Sequence, residues 1–344
     1  MSGAELDFDR PIDLQADAPP EARGIERDGV RLLVTDASGN SHHRFHELPT
    51  LLRSGDLLVV NESATLPASL PARAKFGDFW LNLSTDFGEG VWLAEPRWSP
   101  REPGPVPLAP GDQFDLGTTS ARVVGEYPNV RRLLFIRSRE NLIEIARGVG
   151  RPIRYGYLRQ EFPLDLYQTC FSRVPGSAEM PSAARPFTPT LMDRLRRSGI
   201  QLASIVLHAG VSSLELSDAD SPEQLMFPEP FEVPLGAARA INQARQEGRR
   251  VIAVGTTVVR ALESAWDGCG VRPARGFTRL WLHPGSEPKV IDGLISGFHD
   301  PRSTHLALLY SFAGAERIQA SYREAVEERY LWHEFGDSQL VWRN

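Results

Sequence analysis

An α/β fold interrupted by an antiparallel β unit is what this 344-residue sequence predicts, and three observations predict it. Beyond Arg151, strand-like apolar runs alternate with helix-like stretches. Between Glu62 and Gly150 the chain breaks into short alternating runs punctuated by turn residues. Ahead of that break, a short apolar run over 57–61 reads as a buried strand.

The run 57–61 follows a Gly55-Asp56 turn and is rich in β-branched residues, so it delivers Asn61 at its C-terminal end, where polar residues often face a crevice. From Glu62 onward, runs such as 79–83 and 91–93, cut by a proline-rich stretch over 96–110, indicate an inserted antiparallel barrel or sandwich. After Arg151 the pattern predicts helices over 190–198, 235–247, 258–266, 306–313 and 315–330, and strands over 202–208 and 250–254. Thr188-Pro189 reads as an N-cap followed by proline at the first helical position. Strands alternating with helices imply parallel pairing. The expected division is therefore an α/β domain of residues 1–61 and 151–344 with a β domain of residues 62–150 inserted in it.

Hydrophobic residues make up 41% of the chain and charged residues 24%, which excludes wholesale disorder and a coiled-coil rod. The formal net charge of -6 leaves no global positive field, so a polyanion would have to bind a local patch. Two cysteines, Cys170 and Cys269, are too few for a disulfide framework or a four-thiolate zinc site and suit a reducing compartment. The first ten residues lack the apolar core of a signal peptide, and no apolar run approaches the ~20 residues of a membrane span. The expectation is a cytoplasmic protein with no membrane and no metal.

Chemistry concentrates in a few segments. In 250–263 a buried strand runs through Gly255-Thr256-Thr257 into a helix carrying Arg260 and Glu263, which places backbone N–H groups and two hydroxyls at a helix start suited to a ribose, carboxylate or phosphate. The bland alternative is a well-capped helix whose Arg260 and Glu263 pair with each other. In 295–305, Phe298, His299, Arg302, Ser303 and His305 could supply a base, an anion clamp and a cap, or form a surface loop capped by Ser303 or Thr304. His208 lies beside Gly210, Ser212 and Ser213, a setting more common for structural histidines. Residues 332–337 read as a buried aromatic turn serving core packing. No Walker A, Gly-x-Gly-x-x-Gly, Cys-x-x-Cys or Gly-x-Ser-x-Gly motif occurs, which removes sequence support for the usual NTPase, dehydrogenase, thiol-redox and hydrolase readings.

Taken in order, these segments resemble the S-adenosylmethionine:tRNA ribosyltransferase-isomerase family of queuosine biosynthesis. The likeness runs through Asp7-Phe8-Asp9, Gly55 to Asn61, Tyr167-Gln168-Thr169, Val254-Gly255-Thr256-Thr257 with Arg260 and Glu263, Phe298-His299, and Phe335-Gly336-Asp337. It implies a large α/β barrel-like domain with an inserted antiparallel β-barrel domain, and a monomer. It also implies S-adenosylmethionine as co-substrate and tRNA as partner, the ribosyl unit going to an aminomethyl-deazaguanine base with release of adenine and methionine. A base, an adenine-side acid and groups near the sulfonium are then needed. His208, His299 and Glu229 are the expected catalytic groups. Asn61, Gln168, Ser182, Thr188, Gly255, Thr256, Thr257, Arg260, Glu263, Phe298, Arg302 and Asp337 are the expected binding groups.

Departures from the family pattern accompany these matches. Where the pattern reads Pro-Thr-Ala-Gly-Leu-His-Phe-Thr, this chain has Pro181-Ser182-Ala183-Ala184-Arg185-Pro186-Phe187-Thr188, so a histidine becomes Pro186. The His-x-Met-His-x-Glu pattern falls on 224–229 and keeps Met226 and Glu229 without either histidine. Asn-Asp-Thr-Arg-Val becomes Asn61-Glu62-Ser63-Ala64-Thr65. Two alternatives stand beside the tRNA enzyme: an S-adenosylmethionine-cleaving enzyme with a different, small acceptor, and a non-catalytic nucleoside-binding relative.

Overall fold

The structure, a computed structural model, describes residues 6–128, 130, 132–211 and 226–343. Its strands are β1 (Arg31–Asp36), β2 (Gly39–Arg44), β3 (Leu57–Asn61), β4 (Ser63–Thr65), β5 (Ser69–Ala74), β6 (Gly77–Gly88), β7 (Val91–Arg97), β8 (Gln113–Leu116), β9 (Thr119–Glu126), β10 (Leu134–Ser138), β11 (Val174–Ser177), β12 (Gln201–Leu207), β13 (Glu229–Val233), β14 (Val251–Val254), β15 (Ala274–Thr278), β16 (Gly293–Gly297) and β17 (Ser338–Trp342). The helices are α1 (Leu48–Leu51), α2 (Leu142–Val149), α3 (Pro189–Arg197), α4 (Leu235–Gln246), α5 (Thr256–Ser264), α6 (Thr304–Ala313) and α7 (Ala315–Glu327).

Nine strands form one mixed sheet in the order β15-β13-β12-β3-β14-β16-β17-β1-β2. Its middle is parallel, as the alternation of strands and helices predicts: β12 and β14 flank β3, and β16 follows β14. The expectation of parallel pairing is corrected elsewhere. β16 runs antiparallel to β17, and both ends of the sheet, β12-β13-β15 and β1-β2, are antiparallel. The physical reason is exposure. β3 and β14 are buried along their whole length, whereas β2 and β15 are largely solvated, a state that antiparallel edges accept and parallel strands rarely do.

Alternate side chains of β3 feed two cores. Leu57 and Val59 pack with α4, α5, α6 and α7, while Leu58 and Val60 pack with Leu191, Met192 and Leu195 of α3 on the opposite face. Thr188 caps α3 by accepting the Leu191 N–H at 3.1 Å, with Pro189 behind it. Ser303 caps α6 by accepting from Leu306 N–H at 3.2 Å.

Strands β5 to β10 close into a six-stranded barrel in the order β10-β7-β6-β5-β8-β9, which leaves no edge exposed. Leu70, Leu81 and a Phe79–Phe114 edge contact at 5.5 Å fill it. A short parallel pair, β4 with β11, lies directly after β3 and carries the chain from Ser177 toward the end of the large sheet. Among the described residues no helix is long and apolar enough to cross a membrane, and both cysteines are free and exposed.

Candidate functional site

A cleft opens beyond the C-terminal ends of β14 and β16, the place where parallel strands feed helices and where ligands bind in open α/β sheets. Three walls form it: the β14–α5 turn, the loop between β16 and α6, and a pair of segments at 179–183 and 333–334.

The first wall turns on Gly255, whose φ of +98° suits a residue without a side chain. No side chain caps the start of α5, where Thr256 and Thr257 line the cleft while the Val258 and Val259 amides turn back to the Gly255 carbonyl. One turn on, Arg260 forms a buried ion pair with Glu229 of β13 and donates through Nε to the Leu280 carbonyl at 3.0 Å. Glu229 also accepts the Gly210 N–H at 3.1 Å. Arg260 Nη2 is buried without a partner among the described residues. The pairing of Arg260 with Glu263 is thereby overturned. Glu263 instead accepts the backbone N–H groups of Lys289 and Val290, each at 2.8 Å, and these two donors hold its carboxylate away from Arg260.

In the second wall, His299 Nε2 sits 2.7 Å from Ser296 Oγ, and the ring stacks on His305 with centroids 5.0 Å apart. Its backbone is pinned from both sides, the N–H donating to the Tyr322 hydroxyl at 3.1 Å and the carbonyl accepting from Trp332 Nε1 at 3.0 Å. Burial, reinforced by His305 and His333, holds the His299 imidazole well below its ordinary pKa. Burial pushes His305 down to about 4. Two neutral rings can stack without charge repulsion, and a neutral imidazole keeps one nitrogen able to accept a proton.

The third wall is acidic. Burial, followed by the Glu334 and Glu229 carboxylates, pushes the Glu179 carboxyl up to about 8. Beside it, His333 Nδ1 lies 3.1 Å from Glu334 Oε1. Burial opposes charge on both members of that pair, yet each outweighs it for the other: His333 rises to about 9 and Glu334 falls below the usual carboxylate range.

Of the residues expected from sequence, Ser182, Glu229, Gly255, Thr256, Thr257, Arg260, Phe298 and His299 line this cleft. Others stand outside the lining. His208 is held by Ser63 Oγ at 2.6 Å from Nδ1, burial drives it down to about 4, and a Cβ on Gly176 would come within 2.5 Å of its ring. Asn61 donates to the Leu207 carbonyl at 2.8 Å and to Thr257 Oγ1 at 3.3 Å, so it braces the first wall from behind. Gln168 bonds both backbone groups of Thr65, and Thr188 adds to its cap a bond to Asp28 at 2.9 Å. Arg302 pairs with Asp7, its Nε 3.0 Å away. Asp337 accepts from the amides of Arg31 and Leu331, closing the turn that presents His333. Ser212, Ser213, Gln224 and Leu225 lie outside the described residues.

Sequence reasoning missed Glu179, His333 and Glu334, and left His305 unassigned. The reading of 332–337 as core packing is corrected for His333 and Glu334: Trp332 and Phe335 are buried in the core, but the two charged residues between them face the cleft. A pair of ionisable residues set between large aromatics was the available signal. Pro186, where the resembling family pattern has histidine, lines a smaller cavity that shares Ser182, Gly297, His333 and Glu334 with the main cleft. An imidazole from a different segment therefore stands close to that position.

Comparison with known proteins gives a consistent result. A profile described as queuosine biosynthesis protein matches residues 4–341. The S-adenosylmethionine:tRNA ribosyltransferase-isomerase of Thermus thermophilus is 39% identical, covering 94% of this chain and 96% of that protein. That of Deinococcus radiodurans is 37% identical, covering 99% and 95%. The crystal structure of an S-adenosylmethionine tRNA ribosyltransferase from Thermotoga maritima superposes with a TM-score of 0.56 at 29% identity, over 98% of this chain and 99% of that one.

Proposed function

This chain belongs to the queuosine biosynthesis protein family, and we propose on that premise that it is an S-adenosylmethionine:tRNA ribosyltransferase-isomerase. The reaction we assign to it moves the ribosyl unit of S-adenosylmethionine onto 7-aminomethyl-7-deazaguanine in tRNA, giving epoxyqueuosine and releasing adenine and methionine. The observation that carries this reading beyond family membership is the composition of the cleft. A substrate bearing a carboxylate, a sulfonium and a nucleoside meets an unpaired Arg260 N–H, carboxylates at Glu229 and Glu334, and the open start of α5.

Within that reading the walls divide the work. Removal of a C5′ proton, acidified by the adjacent sulfonium, needs a neutral base, and His299 is one: it is neutral and pinned at its backbone, with Ser296 on Nε2. Glu229, with one oxygen on Arg260 and the other accepting the Gly210 amide, serves to orient Arg260. His208 and Asn61 act as supports behind the cleft. The division into an α/β catalytic body (1–61 and 151–344) and an inserted barrel unit (62–150) belongs to the same proposal, and no lining residue comes from strands β5 to β10.

The test is to incubate the protein with S-adenosylmethionine, with and without tRNA bearing the aminomethyl-deazaguanine base, and to quantify adenine and methionine by mass spectrometry. Release that depends on that tRNA, with a matching mass gain on the nucleoside, is the expected result. Release without tRNA points to another acceptor. No release in either tube, with S-adenosylmethionine bound, overturns the assignment in favour of a non-catalytic relative.

A further inference from the structure

Among the described residues, three carboxyl groups line the cleft, those of Glu179, Glu229 and Glu334, and two of them already have partners. Glu229 is bonded by Arg260 and by the Gly210 amide, and Glu334 stands against His333. Among the described residues, no ion pair and no hydrogen bond reaches the Glu179 carboxyl. It is nonetheless rigidly presented. Its neighbours Ala178 and Met180 are buried, and the Ala178 and Glu179 amides both donate to the Ala209 carbonyl at the end of β12, at 2.7 and 3.4 Å.

The groups that act on this carboxyl come from every element around it. Glu334 and His333 reach it from the 331–337 turn, Glu229 from β13 and Glu95 from β7; Tyr155 and Tyr157 feel its charge from the segment before β11. Glu229 already has Arg260, Glu95 has Arg97 and Arg132, and Glu334 has His333; no such partner meets Glu179 among the described residues, and burial, followed by the nearby Glu334 carboxylate, holds its proton on at neutral pH. A carboxylic acid held neutral, next to groups held ionised, is the arrangement by which a site separates its acid from its base.

We propose that Glu179 is a catalytic acid of this cleft and protonates the departing adenine. The inference rests on the ribosyl-transfer reading above and names the group that reading leaves open. As the bond from the ribosyl C1′ to the purine nitrogen breaks, its electron pair goes to the purine. The O–H bond of Glu179 breaks, an N–H bond forms on a purine ring nitrogen, and the products are neutral adenine and a Glu179 carboxylate. That carboxylate regains a proton from solvent before the next turnover.

Glu179→Gln preserves shape and removes the proton. With S-adenosylmethionine and the modified-base tRNA, the expected result is a 10²- to 10⁴-fold fall in kcat for adenine release. S-adenosylmethionine affinity by calorimetry should stay within about threefold, since the acid acts in the transition state. Wild-type turnover should fall above about pH 8, and the residual turnover of the variant should lose that limb. Glu179→Asp, which keeps an acid at shorter reach, should retain the limb at reduced kcat, and it carries the test if the glutamine variant does not fold. Infrared difference spectra between pH 6 and pH 10 read the proton without turnover, and a protonated-carboxyl band present in wild type and absent from Glu179→Gln is expected. If wild type releases adenine while Glu179→Gln keeps its rate and its alkaline limb, the acid assignment falls and ribosyl transfer stands. If wild type releases neither adenine nor methionine, both fall.

Discussion

Inside the closed barrel, Leu70, Phe79, Leu81 and Phe114 meet other apolar side chains, while at the surface Arg73 of β5 pairs with Asp78 of β6. Over the C-terminal ends of β14 and β16 the chain does the reverse. There it withdraws Glu179, Glu229, Arg260, His299, His305, His333 and Glu334 from water around a single cleft. Burying ionisable groups costs stability unless each is paired or neutralised, and the cleft uses both remedies: Arg260 with Glu229 and His333 with Glu334 are paired, while His299, His305 and Glu179 go neutral. Glu95, a buried carboxylate of the barrel, is met by Arg97 at 3.0 Å and Arg132 at 3.6 Å, and it also acts on Glu179. The contrast locates chemistry in the molecule. A region stabilised by packing can be repacked, but a region that keeps buried charges in opposing protonation states must be preserved residue by residue.

The largest effect is expected at Arg260. Arg260→Met leaves Glu229 buried without its cation and should destabilise the protein by about 4 kcal/mol, with loss of S-adenosylmethionine binding measured beside the unfolding midpoint. A folded variant of unchanged midpoint would show that the pair contributes no stability. In the barrel, Leu81→Ala removes a fully buried side chain and should cost about 3 kcal/mol by cavity formation, while S-adenosylmethionine affinity in the folded protein stays unchanged. A parallel loss of affinity would mean that the barrel shapes the cleft.

The smallest and most graded effect is the response to pH. His208 and His305 titrate at about 4 in the fold against 6.5 for an unperturbed histidine, so the unfolded chain takes up protons first and stability falls as pH drops from 6.5 through 4. The alkaline side has two sources. His333, raised to about 9, contributes stability that is complete below 6.5 and lost as pH rises through 9. Glu179, protonated in the fold, opposes folding increasingly between 4.5 and 8, so Glu179→Gln should flatten that part of a melting-temperature profile. An unchanged profile in the variant would mean that the carboxyl is already ionised.

Much of the scaffold was legible in sequence because its signals are local. The apolar run at 57–61, the Thr188-Pro189 helix start and the texture change after Glu62 each depend on adjacent residues, and β3, α3 and the barrel follow from them. The β14–α5 wall was legible for the same reason, since Gly255, Thr256, Thr257 and Arg260 are contiguous or one turn apart. The third wall was not. Glu179 and the His333–Glu334 pair lie more than 150 positions apart, and only the β4–β11 ribbon and the turn before β17 bring them together. Arg260 likewise chose Glu229 over its helical neighbour Glu263 because strand pairing, invisible to local spacing, placed β13 beside α5.

Strand β17 lies between β16 and β1, antiparallel to one and parallel to the other, and the β1–β2 hairpin joins the sheet through it alone. On the ribosome every other strand of that sheet is made first. The hairpin, though synthesised early, must wait for a partner some 300 residues downstream, and Leu32 cannot take its place opposite Ser338 until that strand emerges. The turn bearing His333 and Glu334 arrives with the same strand, so the third wall of the cleft is completed only when the sheet is. A nascent chain, however much of its barrel has folded, therefore holds Glu179 without His333 and Glu334 beside it until the last strand has emerged.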